Sequence, residues 1–298
     1  MAPPLTWLYV PADRVDRIGT AMASTADVVI LDLEDAVAPS HKEAARTAVL
    51  DALLDARYRN RAIEVRINDP RSSWGRDDLD ALCDARGEQA AQFGIRVPKV
   101  ATAEMVRAVV ERFGEVAPPT MTCLIESSLG IEQAFLIATA HAAVGAIALG
   151  EADLAADLGV ADEGGLAWSR ARIVVAARAA GLPSPAMSAW LRLSDLDGLA
   201  ASCESGRALG FLGRSAIHPS QLPVIAAAFM PTPDEIEAAQ RLLEALAAAT
   251  ALDLGGAVLP DGRFVDQAHV RSAQRTLMLA ARTHRASNED QTAGRQRS

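Results

Sequence analysis

Charged side chains in this chain gather where apolar runs end. Asp27-Val-Val-Ile-Leu-Asp-Leu-Glu-Asp-Ala-Val37 carries a β-branched run into Glu34 and Asp35. Ala62-Ile-Glu-Val-Arg66 ends in an arginine, Ile95-Arg-Val-Pro-Lys99 in a lysine and Thr122-Cys-Leu-Ile-Glu126 in a glutamate. Ala146-Ile-Ala-Leu-Gly150 leads into Glu151 and Asp153. Apolar runs of this kind suit strands buried on both faces, and charge at their C-terminal ends is the pattern of the active face of a parallel β/α enzyme.

Glu126 and Asp153 follow consecutive runs, so they are expected on neighbouring strand ends. Two carboxylates placed side by side repel unless a proton or cation sits between them. Hard oxygen donors that leave positions for water and substrate are the usual way to hold Mg²⁺. The other reading is structural, with one or both acids paired to an arginine or capping a helix. Arg66 offers a fork suited to a carboxylate, either of a substrate or of Glu34 and Asp35. The two readings of Arg66 are compatible, because acids that orient an arginine leave it facing the pocket. Lys99 reads as a rim ion pair, with a Schiff-base role as the alternative. His218, in Ala216-Ile-His-Pro-Ser-Gln221, falls on the same rim and reads as a hydrogen-bonding residue rather than a general base. No Gly-x-Ser-x-Gly elbow or Walker loop is present in the sequence.

The elements that must position these residues alternate. Eight strands are expected, beginning near Leu5, Val28, Ile63, Ile95, Thr122, Gly145, Pro183 and Phe211, with helices such as Ala101 to Arg112 and Arg170 to Ala180 between them. Alternation of this kind implies parallel strands with right-handed crossovers, and eight units predict a closed (β/α)₈ TIM barrel over residues 1–229. A doubly wound sheet is the alternative, but no Gly-x-Gly-x-x-Gly turn follows the first strand. Thr232-Pro233-Asp-Glu then predicts a new helix start, and a C-terminal extension over 230–285 should hold a helix, a short hairpin around Pro260-Asp-Gly262 and a second helix. The polar tail 286–298 lacks periodicity and is expected to be disordered.

Composition narrows the function classes. The 298 residues are 50% hydrophobic, enough for a large core, and a net charge of −9 with no basic stripe excludes nonspecific nucleic-acid binding. Three widely spaced cysteines fit neither a metal cluster nor a disulfide framework, which points to a cytoplasmic protein. The N-terminus lacks a basic region before its short apolar run, and no stretch reaches the length of a membrane span.

From about Trp7 to Ala280 the chain resembles the citrate lyase beta-subunit family of hydroxy-acid aldolases and acyl-CoA lyases. The fragments that carry the resemblance are Tyr9-Val-Pro-Ala-Asp-Arg14, Leu31-Asp-Leu-Glu-Asp-Ala-Val-Ala-Pro39, Val65-Arg-Ile-Asn68 and Pro98-Lys99. Leu124-Ile-Glu126, Leu149-Gly-Glu-Ala-Asp153 and Ala216-Ile-His-Pro-Ser-Gln221 complete them, in order and spacing. The resemblance implies a (β/α)₈ barrel with a C-terminal helical extension that binds Mg²⁺ through Glu126 and Asp153. It implies that Arg66, oriented by Glu34 and Asp35, holds the carboxylate of a 2-oxo acid such as oxaloacetate, glyoxylate or pyruvate. Asp266, in Asp261-Gly-Arg-Phe-Val-Asp266, would be the acid that reaches a neighbouring subunit's site, which implies a homo-oligomer, with a trimer favoured. The activity implied is magnesium-dependent carbon–carbon cleavage of a hydroxyacyl-CoA, such as malyl-CoA or citramalyl-CoA, into an acyl-CoA and a 2-oxo acid. The alternatives are an aldolase on CoA-free acids, a thioesterase, and a non-catalytic subunit that binds ligand or a carrier protein.

The departures from the family pattern fall on the thioester side. Val10-Pro-Ala-Asp-Arg-Val15 replaces a Val-Pro-Gly-Asp-Arg-Pro opening, and Thr20 stands where a lysine often follows. Arg14 and Arg17 remain as the candidate phosphate contacts. Ala186-Met-Ser-Ala-Trp190 replaces an Ile-Asp-Gly segment, and Arg214 stands for the lysine of the eighth strand.

Overall fold

The structure, a computed structural model, describes residues 3–87 and 92–295, with side chains throughout except at 163 and 283–295. Contacts divide the chain into two compact units, one spanning Pro4–Phe229 and the other formed mainly by residues from Met230 onward.

The first unit is the expected α/β barrel. Its strands are β1 (Thr6–Pro11), β2 (Val28–Asp32), β3 (Ala62–Arg66), β4 (Phe93–Val97), β5 (Met121–Ile125), β6 (Val144–Leu149) and β7 (Arg214–Ala216). They pair in parallel in the order β6-β5-β4-β3-β2-β1-β7. β2 and β5 are buried at every position, as strands covered by helices on one face and by the barrel interior on the other must be. On β1 the burial alternates, with Thr6, Leu8 and Val10 under the helices and Tyr9 and Pro11 lining a cavity inside the barrel.

The sheet has seven strands rather than eight. The strand expected near Pro183 is reduced to a single bridge between Met187 and Arg214. Pro183 and Pro185 have no N–H to offer a ladder, so a full strand cannot form there. The Met187 N–H donates to Gly213 O at 2.9 Å and Met187 O accepts from the Ser215 N–H at 3.0 Å, which joins this segment to β7. On its other side the Ser188 hydroxyl donates to Leu149 O at 2.6 Å and accepts from the Glu151 N–H at 3.3 Å. A side chain thus closes the seam to β6 that strand pairing leaves open.

The second unit begins with the helix Pro233–Ala251. Thr232 caps it with a reciprocal box, its Oγ1 accepting from the Glu235 N–H and the Glu235 carboxylate accepting from the Thr232 N–H. The antiparallel hairpin of β8 (Gly256–Val258) and β9 (Phe264–Asp266) follows, then the helix Gln267–Arg295. Leu242, Leu246, Leu259 and Val265 form this unit's core. The final helix continues past the expected end at residue 285. Between there and Arg295 no proline interrupts the chain, and a helix already nucleated propagates through such residues at little cost. The rest of the segment expected to be disordered, residues 296–298, lies outside the described residues. Among the described residues no helix is long and apolar enough to cross a membrane.

Candidate active site

The C-terminal ends of the strands open on a cavity of about 720 Å³ within the barrel unit. Asp32, Arg66, Arg96, Glu126 and Asp153 all line it, so residues spread over four strand-ends and the helix after β6 meet in one place.

Arg66 is the best-anchored cation there. Its Nε and Nη2 donate to the two oxygens of Asp32 at 2.6 Å each, the bidentate geometry that fixes a guanidinium plane. Register explains the pairing, since Asp32 is the Cα partner of Arg66 and both side chains turn inward. Glu34 Oε2 lies 2.9 Å and Asp35 Oδ2 3.2 Å from Nη1. Glu34 and Asp35 therefore touch Arg66 as expected, but the main anchor is Asp32, which the sequence reading passed over. The signal was the period of two: counting inward positions back from Arg66 across the ladder reaches Asp32. Burial opposes the charge on Arg66, yet the Asp32 carboxylate holds it above the ordinary arginine range.

Glu34 is itself buried, and burial pushes its carboxyl up to about 7 despite the Arg66 charge, with Asp35 and Glu126 adding to the rise. Lys99 Nζ stands 3.4 Å from Glu34 Oε1, the rim ion pair expected of it, and Glu34 and Asp35 hold the ammonium above its usual range against partial burial.

Glu126 follows β5 and is 7% exposed. Its Oε2 accepts from the Lys99 N–H at 3.0 Å, and burial raises its carboxyl, with the nearby Asp153 charge raising it further. Asp153 sits in the first turn of the helix Glu151–Leu158, on the side of the positive end of its dipole. Gly150 makes their proximity possible, because a Cβ there would meet Glu126 Oε1 at 2.3 Å. Glu151 also lines the cavity and forms a two-point pair with Arg170, at 2.8 and 2.7 Å.

No group of three or more histidine, cysteine, aspartate or glutamate side chains is placed to hold a metal among the described residues. The Glu126 and Asp153 pair is nonetheless the donor set that Mg²⁺ takes when most of its six positions go to water and substrate oxygens. The part of the rise in Glu126 that comes from the Asp153 charge, smaller than the part from burial, is what a divalent cation between the two would relieve.

Arg17 lines the cavity and is exposed, while Arg14 is exposed and 3.7 Å from Asp16. His218 caps the turn Pro219–Gln221, its Nδ1 2.8 Å from Ser220 Oγ. Asp266 belongs to the second unit, where it ends β9, accepts from the Ala268 N–H at 2.9 Å and pairs with His269 at 3.0 Å. Those two contacts hold its carboxyl below the usual range. Sequence reasoning missed Tyr9, Arg96 and Ser188, all of which line the cavity.

A β/α barrel with a carboxylate pair beside an arginine–carboxylate cluster at its strand ends has the architecture of a barrel enzyme. The chain belongs to the HpcH/HpaI aldolase/citrate lyase family, which it matches over residues 5–219. It is 35% identical over 280 residues to a (3S)-malyl-CoA thioesterase of Cereibacter sphaeroides, covering 92% of this chain and 93% of the relative. An L-malyl-CoA/beta-methylmalyl-CoA lyase of the same species is 33% identical over 295 residues, covering 90% of this chain and 91% of that one. The crystal structure of the protein CitE from Mycobacterium tuberculosis, in complex with magnesium, acetoacetate and coenzyme A, superposes with a TM-score of 0.77. That chain is 33% identical, and the match covers 94% of this chain and 98% of that one. The protein is thus an enzyme of the aldolase/citrate lyase type.

Proposed function

We propose that this protein is a Mg²⁺-dependent carbon–carbon lyase that splits a 3-hydroxyacyl-CoA of the malyl- or citramalyl-CoA kind into an acyl-CoA and a 2-oxo acid. The observation that carries the reading is the convergence of Glu126, Asp153 and Asp32-anchored Arg66 on one cavity. The malyl-CoA relatives and the magnesium-bound CitE support it.

Glu126 and Asp153 would hold Mg²⁺, which when bound supplies Lewis-acid polarisation of the oxo-acid oxygens. Arg66 takes the oxo-acid carboxylate with the donor capacity that Asp32 and Asp35 leave, and its locked plane orients the substrate. Glu34 and Asp35 hold Arg66 and ordered water in place. The substrate hydroxyl passes its proton to water and its oxygen forms the new carbonyl as the carbon–carbon bond breaks, and the electron pair of that bond becomes a thioester enolate. Asp266 of a second copy would take up a proton from water and deliver it to the enolate carbon. In the condensing direction the same carboxylate removes it, and its ionised state, held by Ala268 and His269, suits that step. Arg14 and Arg17 would meet the phosphates of CoA. Completion of the site in trans makes the active form a homo-oligomer, a trimer in this reading.

Hydrolysis of the thioester is the second reading, favoured by the identity to the malyl-CoA thioesterase. One experiment separates the two. Malyl-CoA and citramalyl-CoA are incubated with protein and Mg²⁺, and 2-oxo acid and free thiol are assayed in parallel. Oxo acid without thiol supports the lyase, and thiol without oxo acid replaces it with the thioesterase. Release of neither from a panel of such thioesters overturns both.

A further inference from the structure

The inner wall of the cavity holds a second arginine that nothing above uses. Arg96 is 3% exposed, and register places it level with Arg66 on one side and Thr122 on the other. Its Nε donates to Glu64 Oε2 at 2.8 Å and its Nη1 to the Tyr9 hydroxyl at 3.4 Å. Glu64 also accepts from Thr122 Oγ1 at 3.3 Å, and Gly94 leaves it room, since a Cβ there would meet Glu64 Cγ at 3.3 Å.

The two guanidinium groups flank the same ring, at 5.1 Å for Arg66 and 5.7 Å for Arg96 from the Tyr9 centroid. They differ in what they have left to give. Arg66 donates to Asp32 and Asp35 and lies against Glu34, so three carboxylates already surround it. Among the described residues Arg96 meets one carboxylate, through Nε alone. A guanidinium has five N–H donors, and the Nη1–Nη2 edge is the one that takes a carboxylate with two parallel bonds. At Arg96 that edge faces no protein acid, and the residue lines the cavity. An edge of this kind, on a residue that lines the cavity, is open to an anionic acceptor bound there.

We infer that Arg96, with the Tyr9 hydroxyl, is a specificity-determining anion contact that receives a second carboxylate at the far end of the 2-oxo acid. The Tyr9 hydroxyl accepts from Arg96, which leaves its own proton free to donate to the same group. Arg66 then positions the carboxylate next to the reacting carbonyl, and Arg96 selects for an acid that carries another. The inference rests on the proposed function, because it takes the cavity to hold the oxo acid, and it shifts the preferred substrate from the malyl- and citramalyl-CoA kind, whose oxo acids carry one carboxylate, to a thioester that releases a dicarboxylic oxo acid.

The test is calorimetric titration of oxaloacetate and of pyruvate into the full-length protein with Mg²⁺. Wild type should bind oxaloacetate more tightly than pyruvate. Arg96→Met should cost oxaloacetate about 10- to 100-fold in Kd while leaving pyruvate within about 2-fold. Arg96→Lys, which keeps the charge and loses the fork, should fall between. Because Arg96→Met strands Glu64 in the barrel, Glu64→Gln/Arg96→Met is measured as well; it removes both charges and should show the same loss of preference. Equal weakening of both acids in these variants, or no change in either, overturns the inference and leaves the proposed function standing. If neither acid binds wild type with Mg²⁺, the proposed function fails with it.

Discussion

The backbone N–H of Lys99 donates to Oε2 of Glu126 at 3.0 Å, and Lys99 reaches that position with φ at +55°. A lysine in the left-handed region costs about 1–2 kcal/mol relative to a helical or extended one. Its side chain meanwhile reaches Glu34. One strained residue therefore links the arginine cluster to the carboxylate pair, by its backbone on one side and its ammonium on the other. Strain of this kind persists where surrounding structure demands it, and here it aims an N–H at a proposed metal ligand.

The strain predicts an order among substitutions at that position. Lys99→Gly and Lys99→Asn tolerate the left-handed backbone and should keep the N–H on Glu126. Lys99→Val resists it and should lower stability by about 1–2 kcal/mol and release Glu126. Thermal unfolding gives the first effect, and Mn²⁺ binding followed by electron paramagnetic resonance gives the second. Equal Mn²⁺ affinity in all three variants would show that the Lys99 N–H does not hold Glu126.

A single methyl should empty the proposed metal site. Gly150 has φ of −97° and ψ of 86°, on the negative-φ side that alanine shares, so Gly150→Ala carries no left-handed penalty. Its Cβ would stand 2.3 Å from Glu126 Oε1 and 2.4 Å from Cγ, and Glu126 must move. We expect Gly150→Ala to weaken Mn²⁺ binding at least as much as Glu126→Gln, by about 10-fold or more. Binding unchanged from wild type would remove Glu126 from the metal site.

Much of this was legible in the chain. Six of the seven strands begin within two residues of the positions read from apolar runs, because β-branched runs closed by a charge leave little choice of element or end. Arg66, Glu126 and Asp153 meet as expected, since consecutive parallel strands bring their C-terminal ends together. Asp32 counts among the three carboxylates that close its run but is given no role there, and Arg96 sits inside a run rather than at its end. Only the inward-facing register, which a sequence shows as parity, puts them in the cavity. Ser188 could not be found that way at all. It acts because Pro183 and Pro185 prevent a strand, and the consequences of an absent strand appear only once its neighbours are in place.

Glu34 predicts how stability responds to pH in protein freed of metal with EDTA. Burial pushes its folded carboxyl up to about 7, above the ordinary 4.5 of a glutamate. Between those two values the folded state binds a proton that the unfolded state has lost. Stability is therefore fully present below about 4.5 and declines as pH rises through 7. Glu34→Gln cannot ionise, so its unfolding free energy should lose this decline, and the gap between variant and wild type should shift in favour of the variant from pH 5 to pH 8. Denaturant melts at several pH values check it. Parallel pH curves for the two proteins would mean that Glu34 titrates normally.

Ser188 predicts a coupling between barrel closure and the metal site. Its hydroxyl donates to Leu149 O, the last residue of β6, and accepts from the Glu151 N–H that opens the helix carrying Asp153. The Glu151–Arg170 pair ties the same turn to the helix Ala167–Ala179, so the turn is held from two directions. Ser188→Ala strands a part-buried carbonyl and an N–H together, and should cost about 1–3 kcal/mol of stability. Arg170→Met leaves Glu151 without its partner and should cost a comparable amount through the other attachment. The two variants should nevertheless differ in metal affinity. Ser188 touches the backbone where β6 passes into Gly150 and Glu151, beside Glu126, whereas Arg170 reaches that turn through the Glu151 side chain. Mn²⁺ affinity should therefore fall further in Ser188→Ala than in Arg170→Met at matched stability, and Ser188→Thr, which keeps the hydroxyl, should restore it. A loss of affinity that simply tracks stability across the three variants would reduce Ser188 to a closure contact.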